Sequence, residues 1–126
     1  MGKLSKKEIN DIRGALRRCF HRSQYYKSFV DSKAFKVPRY KNDGTRHKVD
    51  FTMYTCAHCM RDYLKKDIQI DHITQIGSFK SLDEIERFIK RLYCPYDNLQ
   101  ILCKACHKEK TSQERKFNRA MDKVEF

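Results

Sequence analysis

Four cysteines form the pattern in this sequence whose chemistry is easiest to read. They stand in two Cys-x-x-Cys pairs, Cys56 with Cys59 and Cys103 with Cys106. Two such pairs at this spacing predict a tetrahedral site in which four thiolates bind one structural Zn²⁺. A site closed by four protein ligands has no open position for a substrate, so we expect this zinc to stabilise the fold without taking part in a reaction.

Three residues near the cysteine pairs carry the groups that hydrolytic chemistry needs. Asp71 and His72 lie between the pairs, and His107 follows Cys106 directly. A carboxylate and an imidazole bind a hydrated divalent cation, and a further imidazole takes a proton from water. The sequence therefore predicts a small metal-dependent hydrolase. Adjacent residues of a regular strand face opposite ways, so Asp71 and His72 share one site only if the strand ends there and the backbone turns.

Disulfides are the alternative use of six cysteines. The N-terminus is charged and no long apolar stretch follows it, so we expect neither a secretion signal nor a membrane partner. In the cytoplasm, where we expect this protein, thiols stay reduced and bind metal. Cys19 and Cys94 have no neighbour at ligand spacing, and we expect both to be small buried hydrophobic residues.

The net charge of +12 is distributed unevenly along the chain. Residues 1–50 hold 14 Lys and Arg against 5 Asp and Glu, whereas residues 51–126 hold 14 against 11. A basic surface with interleaved aromatic residues favours a polyanionic partner, most commonly nucleic acid, although a merely solvated basic face is the alternative. The candidate DNA-binding residues of the first helix are Arg13, Arg17, Arg18 and Arg22.

The first half of the chain is predicted to contain a helix and a hairpin. Ser5 followed by Glu8 predicts a capping box that starts an amphipathic helix of about five turns. Residues 23–33 are expected to continue as helix or to break near Ser32. A turn at 42–44 and the alternating apolar residues after it predict a hairpin that leads into the first cysteine pair.

The second half is predicted to alternate strands and helices. Residues 67–73 and 97–102 read as short strands, and residues 82–92 form a second amphipathic helix between them. The segment from Lys104 to about Met121 is rich in helix-forming residues and is expected to form the last helix. These elements predict an α+β fold.

The combined motifs resemble the HNH nuclease family. They are Cys56-Ala-His-Cys59, Ile70-Asp71-His72-Ile73 and the run Asn-Leu-Gln-Ile-Leu-Cys-Lys-Ala-Cys-His-Lys-Glu-Lys-Thr at 98–111. The resemblance is closest to small bacteriophage HNH proteins and covers residues 56–111. It implies a small ββα-metal core with a four-cysteine structural zinc site over 51–126. Residues 1–50 would then be a basic extension, helical and hairpin-forming, that contacts DNA.

The resemblance also implies a role for each candidate residue. His72 matches the general base, Asp71 and His107 match ligands of a catalytic Mg²⁺, Mn²⁺ or Ni²⁺, and Asn98 matches the residue that orients the catalytic loop. Lys110 lies one helical turn after His107 and could contact a DNA phosphate.

The function expected from this resemblance is hydrolysis of DNA phosphodiester bonds by a phage-encoded endonuclease of the homing or DNA-packaging type. DNA is the expected partner, and phage packaging (terminase) proteins are a further one. The alternative is a zinc-ribbon-like DNA-binding or packaging accessory protein without catalysis. The pair Asp71-His72 together with His107 distinguishes the two, because a binding module has no need of these residues.

Overall fold

The structure, a computed structural model, describes residues 3–123 and has the α+β composition that the sequence predicts. The helices are α1 (Lys6–Arg22), α2 (Gln24–Lys33), α3 (Ile85–Leu92) and α4 (Lys104–Asp122). The strands are β1 (Phe35–Val37), β2 (Phe51–Thr55), β3 (Asp62–Leu64), β4 (Ile68–His72) and β5 (Leu99–Cys103). Within residues 3–123, every helix is too short or too polar to cross a membrane.

The chain divides into two compact units that are both discontinuous in sequence. The first holds the described residues up to Lys33 together with His72–Leu99. The second holds Ala34–Asp71 and the described residues from Gln100 onward. The division at residue 50 between a DNA-contacting extension and a nuclease core concerns function, and it stays a prediction.

The first unit is helical and contains α1, α2 and α3. Ser5 caps α1, and Ser5 and Glu8 form the reciprocal capping box that the sequence predicts. The apolar stripe of α1 ends at Phe20, which is 1% exposed, and Phe88 and Leu92 of α3 are fully buried. The other apolar residues of this stripe are half-buried, so the face that the periodicity of α1 predicts is the face that packs.

A single extended residue, Ser23, separates α1 from α2. Ser23 is extended, its hydroxyl donates to the carbonyl of Phe20 at 2.6 Å, and the N–H of Tyr26 donates to the same hydroxyl at 3.1 Å. Ser23 thus ends α1 and starts α2, which continues to Lys33, so the helix expected over 23–33 is confirmed and ends next to Ser32. The sequence analysis did not predict the additional break at Ser23. The reason is local: a serine hydroxyl competes with the helical backbone for hydrogen bonds.

The two cysteines outside the pairs differ from each other. Cys94 is 5% exposed, as predicted. Cys19 is exposed on α1, so the expectation that it is buried is wrong. The buried stripe of the helix passes through Leu16 and Phe20 and leaves position 19 outside it.

The second unit contains an antiparallel sheet in the order β1-β2-β3. Phe35 of β1 is opposite Met53 of β2, which in turn is opposite Leu64 of β3. The predicted turn before β2 is present, with Gly44 at a φ of 88° that favours glycine. The predicted hairpin into the first cysteine pair is therefore confirmed, whereas the three-residue strand β3 gave no signal in the sequence.

A second, two-stranded sheet consists of β4 and β5, whose end residues His72 and Leu99 belong to the first unit. α4 follows directly on β5. The strand predicted at 67–73 is confirmed as β4. The strand predicted at 97–102 begins only at Leu99, because Tyr96–Asn98 form a single 3-10 turn.

Candidate active site

The four paired cysteines come together in the second unit. Their Sγ atoms all lie within 4.8 Å of one another. A tetrahedral zinc with bonds of about 2.3 Å places its sulfur ligands about 3.8 Å apart, so a small inward movement of the thiols would hold one ion. Within residues 3–123, no other group of three or more His, Cys, Asp or Glu side chains brings its ligand atoms together. The donor set and the spacing therefore fit a metal, and four thiolates favour zinc.

Each cysteine pair occupies a tight turn at the end of a strand. The first lies between β2 and β3, where the N–H of Cys59 donates to Cys56 Sγ at 3.5 Å. The second begins α4, where Cys103 is the N-cap and its Sγ accepts from the N–H of Cys106 at 3.4 Å. The N–H of Ala57 donates to the carbonyl of Ile101 at 2.8 Å and joins the first turn to β5. These backbone hydrogen bonds position the two turns that carry the four thiols.

The backbone also favours the thiolate form at this cluster. The hydrogen bond from the N–H of Cys106 lowers the pKa of the Cys103 thiol. The hydrogen bond with the Cys103 side chain, on the other hand, raises the pKa of Cys106 to about 12. The thiols of Cys103 and Cys106 therefore differ in acidity, and a bound dication would favour deprotonation of all four thiols.

Asp71 is the one buried charged or polar residue among those described, with 7% of its surface exposed. Its Oδ2 accepts from Gln100 Nε2 at 2.9 Å and lies 3.0 Å from Lys110 Nζ. Its Oδ1 lies 3.9 Å from His107 Nε2. The strand β4 and the helix α4 therefore bring the predicted carboxylate and imidazole ligands close together.

The Asp71–His107 pair fits a hard divalent cation. Asp71 Oδ1 and His107 Nε2 would be the protein ligands of such an ion, and a small movement of the side chains would bring them from 3.9 Å to the roughly 3 Å expected between neighbouring ligands. The side chain of His107 is 35% exposed, so water and phosphate oxygens could fill the remaining coordination positions. Two protein ligands of this kind bind an ion far more loosely than four thiolates do.

Lys110 lies next to the same carboxylate. Its Nζ is 3.0 Å from Asp71 Oδ2 and 3.2 Å from Glu114 Oε1, and its side chain is 24% exposed. The predicted role of Lys110 as a phosphate contact stays a prediction. The structure shows, in addition, that the ammonium of Lys110 lies between the carboxylates of Asp71 and Glu114.

His72 lies in the first unit, where its ring is held in a definite orientation. Its Nε2 lies 2.8 Å from the carbonyl oxygen of Leu92, and its ring centroid lies 5.3 Å from that of Phe20. Because a carbonyl oxygen can only accept, Nε2 carries the proton and the lone pair of the neutral ring is on Nδ1. The nitrogen that can take a proton from water is therefore Nδ1.

The segment that follows His72 leaves the sheet. β4 stops at His72, and the backbone bends at the next two residues. Asn98 holds this bend, since its carbonyl accepts from the N–H of Ile73 at 2.8 Å and its Oδ1 accepts from the N–H of Thr74 at 3.0 Å. The side chain that the sequence singled out thus lies against the segment it was expected to orient.

The four arginines of α1 have different surroundings. Arg18 and Arg22 are exposed. Arg17 is half-buried, donates to the carbonyl of Gly77 at 3.2 Å and lies 5.9 Å from the ring centre of Phe88. Burial, and then the neighbouring Arg13, lower the pKa of the Arg17 guanidinium. Arg17 thus has an intramolecular contact that the charge pattern did not reveal.

Sequence reasoning missed Gln100 and Glu114, which contact Asp71 and Lys110. Glu114 had a readable signal, because it follows Lys110 by four residues on a predicted helix and such pairs face each other. Gln100 had none, since a single polar residue in a strand gives no information about its partner across the sheet.

Comparison with known proteins gives one informative similarity. The chain is 36% identical over 62 residues to a protein of Lactococcus phage SK1 described as "Probable HNH endonuclease". The resemblance to HNH endonucleases is confirmed. The match covers 49% of this chain and 58% of the length of the phage protein. No protein-family model matches the chain, and no solved structure matches it.

Proposed function

We propose that this protein is a metal-dependent endonuclease of the HNH type that hydrolyses phosphodiester bonds in DNA. The observation that carries the proposal is the pair formed by Asp71 Oδ1 and His107 Nε2, 3.9 Å apart on β4 and α4. The similarity to a phage protein described as a probable HNH endonuclease supports it. The paired strands β4 and β5 are followed by α4, which carries the proposed ligand His107. This order is also the one expected of a ββα-metal core.

In this proposal His72 is the general base. Its Nε2–H donates to the carbonyl of Leu92, so its Nδ1 accepts a proton from the water whose oxygen attacks phosphorus. The bond from phosphorus to the leaving oxygen breaks as the new bond forms. Asn98 accepts a hydrogen bond from the bend that follows His72 and so helps to keep the imidazole of His72 in place.

Asp71 and His107 are the proposed ligands of the catalytic cation. A bound Mg²⁺, Mn²⁺ or Ni²⁺ would stabilise negative charge on the phosphoryl and leaving oxygens. Gln100 donates to Oδ2 of Asp71 and leaves Oδ1 directed toward His107. This hydrogen bond orients the carboxylate, which a ligand needs in order to bind without further ordering.

The four cysteines are the proposed structural zinc site. They join the β2–β3 turn to the start of α4, and so they fix the helix on which His107 lies. DNA is the proposed substrate. The packaging partners, the cytoplasmic location and the DNA-contacting role of residues 1–50 stay predictions.

Nicking of a supercoiled plasmid tests the proposal. We expect zinc-loaded protein to convert it to nicked or linear forms with Mg²⁺, Mn²⁺ or Ni²⁺, and we expect Asp71→Asn to lose this activity. EDTA at low concentration should stop cleavage while zinc, measured by elemental analysis, stays bound. Folded, zinc-loaded protein that binds DNA but cuts it with none of these metals would instead be the non-catalytic DNA-binding protein.

A further inference from the structure

The two oxygens of the Asp71 carboxylate have different neighbours. Oδ2 accepts from Gln100 and contacts the ammonium of Lys110 at 3.0 Å, whereas Oδ1 faces His107 at 3.9 Å. The side chain of Asp71 is only 8% exposed. Water therefore does little to stabilise its charge, and the ammonium of Lys110 supplies an opposite charge beside it.

Lys110 does not depend on Asp71 alone. Its Nζ also lies 3.2 Å from Oε1 of Glu114, one helical turn further along α4, and both side chains are 24% exposed. Lys110 is thus shared between a buried carboxylate and a half-buried one. If a divalent cation binds Asp71 in place of Lys110, the ammonium of Lys110 keeps its ion pair with Glu114 and still reaches solvent.

We infer that Lys110 is a resting counter-ion of Asp71 that keeps divalent-metal affinity low until a DNA phosphate draws it away, so that metal loading is linked to substrate. The inference rests on the proposed function and deepens it. A carboxylate already paired with an ammonium at 3.0 Å attracts a dication less strongly, and the ammonium repels the ion directly. An anionic phosphate that pairs with Lys110 removes both effects.

This coupling is reciprocal. If DNA raises the metal affinity through Lys110, the metal must raise the affinity for DNA by the same factor. The protein without DNA would then carry its zinc but little catalytic metal. Lys110 would act as a positioning and regulating residue, because its effect passes through Asp71.

The experiment measures Mn²⁺ affinity of zinc-loaded protein from the electron paramagnetic resonance signal of free Mn²⁺, which as a hard ion does not compete for the thiolates. The variant Lys110→Met removes the charge and keeps the length of the side chain. Lys110→Gln is a second variant that retains a hydrogen-bond donor in case the first is poorly folded. The matched control is Lys116→Met, which removes one charge from an exposed position of the same helix.

We expect both Lys110 variants to bind Mn²⁺ about tenfold more tightly than the wild type, within the usual range for coupling between sites. Without Mn²⁺, Lys110→Met should melt at a lower temperature, and saturating Mn²⁺ should close that gap. Lys116→Met should match the wild type in both measurements. Unchanged or weaker Mn²⁺ binding in the Lys110 variants would overturn the inference.

A second arm uses DNA in a His72→Gln background, which is not expected to cut it. A short duplex should tighten Mn²⁺ binding about tenfold more when Lys110 is present than when it is Met. An equal effect in both would contradict the phosphate part of the inference.

Asp71→Asn separates failure of this inference from failure of the proposed function. If Asp71→Asn loses Mn²⁺ while Lys110→Met gains nothing, the metal site stands and the counter-ion role is wrong. If Asp71→Asn binds Mn²⁺ as the wild type does, the proposed metal site itself is wrong, and the counter-ion role is wrong with it.

Discussion

The second unit contains two clusters that could bind metal, and they differ in ligand type and in exposure. The cysteine cluster consists of four thiols, two of them, Cys56 and Cys103, at most 4% exposed, with backbone N–H groups directed at their sulfurs. The other cluster pairs one buried carboxylate, Asp71, with the half-exposed imidazole of His107.

Under the proposed function, this difference would separate a metal that holds structure from a metal that reacts within one small unit. Four soft ligands fill a coordination sphere and leave no position for substrate. A carboxylate and an imidazole leave most of the sphere to water and phosphate, at the cost of affinity. The chain places both types on α4, where Cys106 and His107 are consecutive.

The largest expected effect is loss of the closed cluster. Cys103→Ser should abolish zinc binding and unfold the protein, because structural zinc contributes on the order of 10 kcal/mol to folding in small domains. Zinc content and circular dichroism measure the two effects. Cys19→Ser, at an exposed position, is the control and should keep one zinc per chain. A folded Cys103→Ser protein would show that the four thiols are not needed for the fold.

Replacement of His72, the proposed general base, should strongly reduce activity and leave both metal clusters intact. His72→Gln should lower the cleavage rate by about 10²–10⁴-fold, since general-base help is lost. Gln retains a side-chain N–H that can donate to the carbonyl of Leu92, so it avoids the loss of packing that Ala would cause beside Phe20.

The measurement is single-turnover plasmid cleavage, with zinc content and Mn²⁺ affinity determined on the same samples. His58→Ala, at an exposed position between two cysteines, serves as the control and should cut at the wild-type rate. Wild-type cleavage by His72→Gln would assign the base to another residue.

A smaller effect is expected from the bend that follows His72. Asn98→Ala removes the acceptor for the N–H of Thr74 and should lower the cleavage rate by about tenfold, because small displacements of a catalytic group are costly. The missing hydrogen bond should destabilise the protein by about 1 kcal/mol in denaturant unfolding. Asn98→Asp keeps an acceptor and should recover most of the rate. Equal cleavage rates for Asn98→Asp and Asn98→Ala would show that the hydrogen bond to Thr74 does not determine the rate.

The smallest effect concerns the exposed arginines of the first unit, which should change DNA affinity without changing either metal cluster. Arg18→Gln combined with Arg22→Gln should reduce the salt slope of log K by about 0.9 for each DNA phosphate that the protein no longer neutralises. Arg17→Gln should instead lower the melting temperature, because Arg17 is bonded to Gly77. DNA affinity at several salt concentrations, measured together with the melting temperature, distinguishes the double variant from Arg17→Gln. An unchanged slope in the double variant would indicate that α1 binds a protein partner.

The sequence was most informative where a single local pattern determines the structure. The capping box at Ser5 and Glu8, the turn at 42–44 and the last helix follow from short-range hydrogen bonds and from helix propensity, which need no knowledge of the rest of the chain. The spacing of the cysteines predicted a cluster for a different reason: each Cys-x-x-Cys pair offers two thiols to one ion, and two pairs complete the four ligands of a tetrahedral site.

Tertiary structure decided the features that depend on two distant segments. The sequence could not show that Lys110 pairs with Asp71, that Gln100 holds the same carboxylate, or that Arg17 bonds to Gly77. Nor could it show which nitrogen of His72 carries the proton, which depends on the carbonyl of Leu92 twenty residues away. A sequence pattern records the type and spacing of groups. The charge and hydrogen bonding of a buried group depend on which other groups the fold brings within about 3 Å of it.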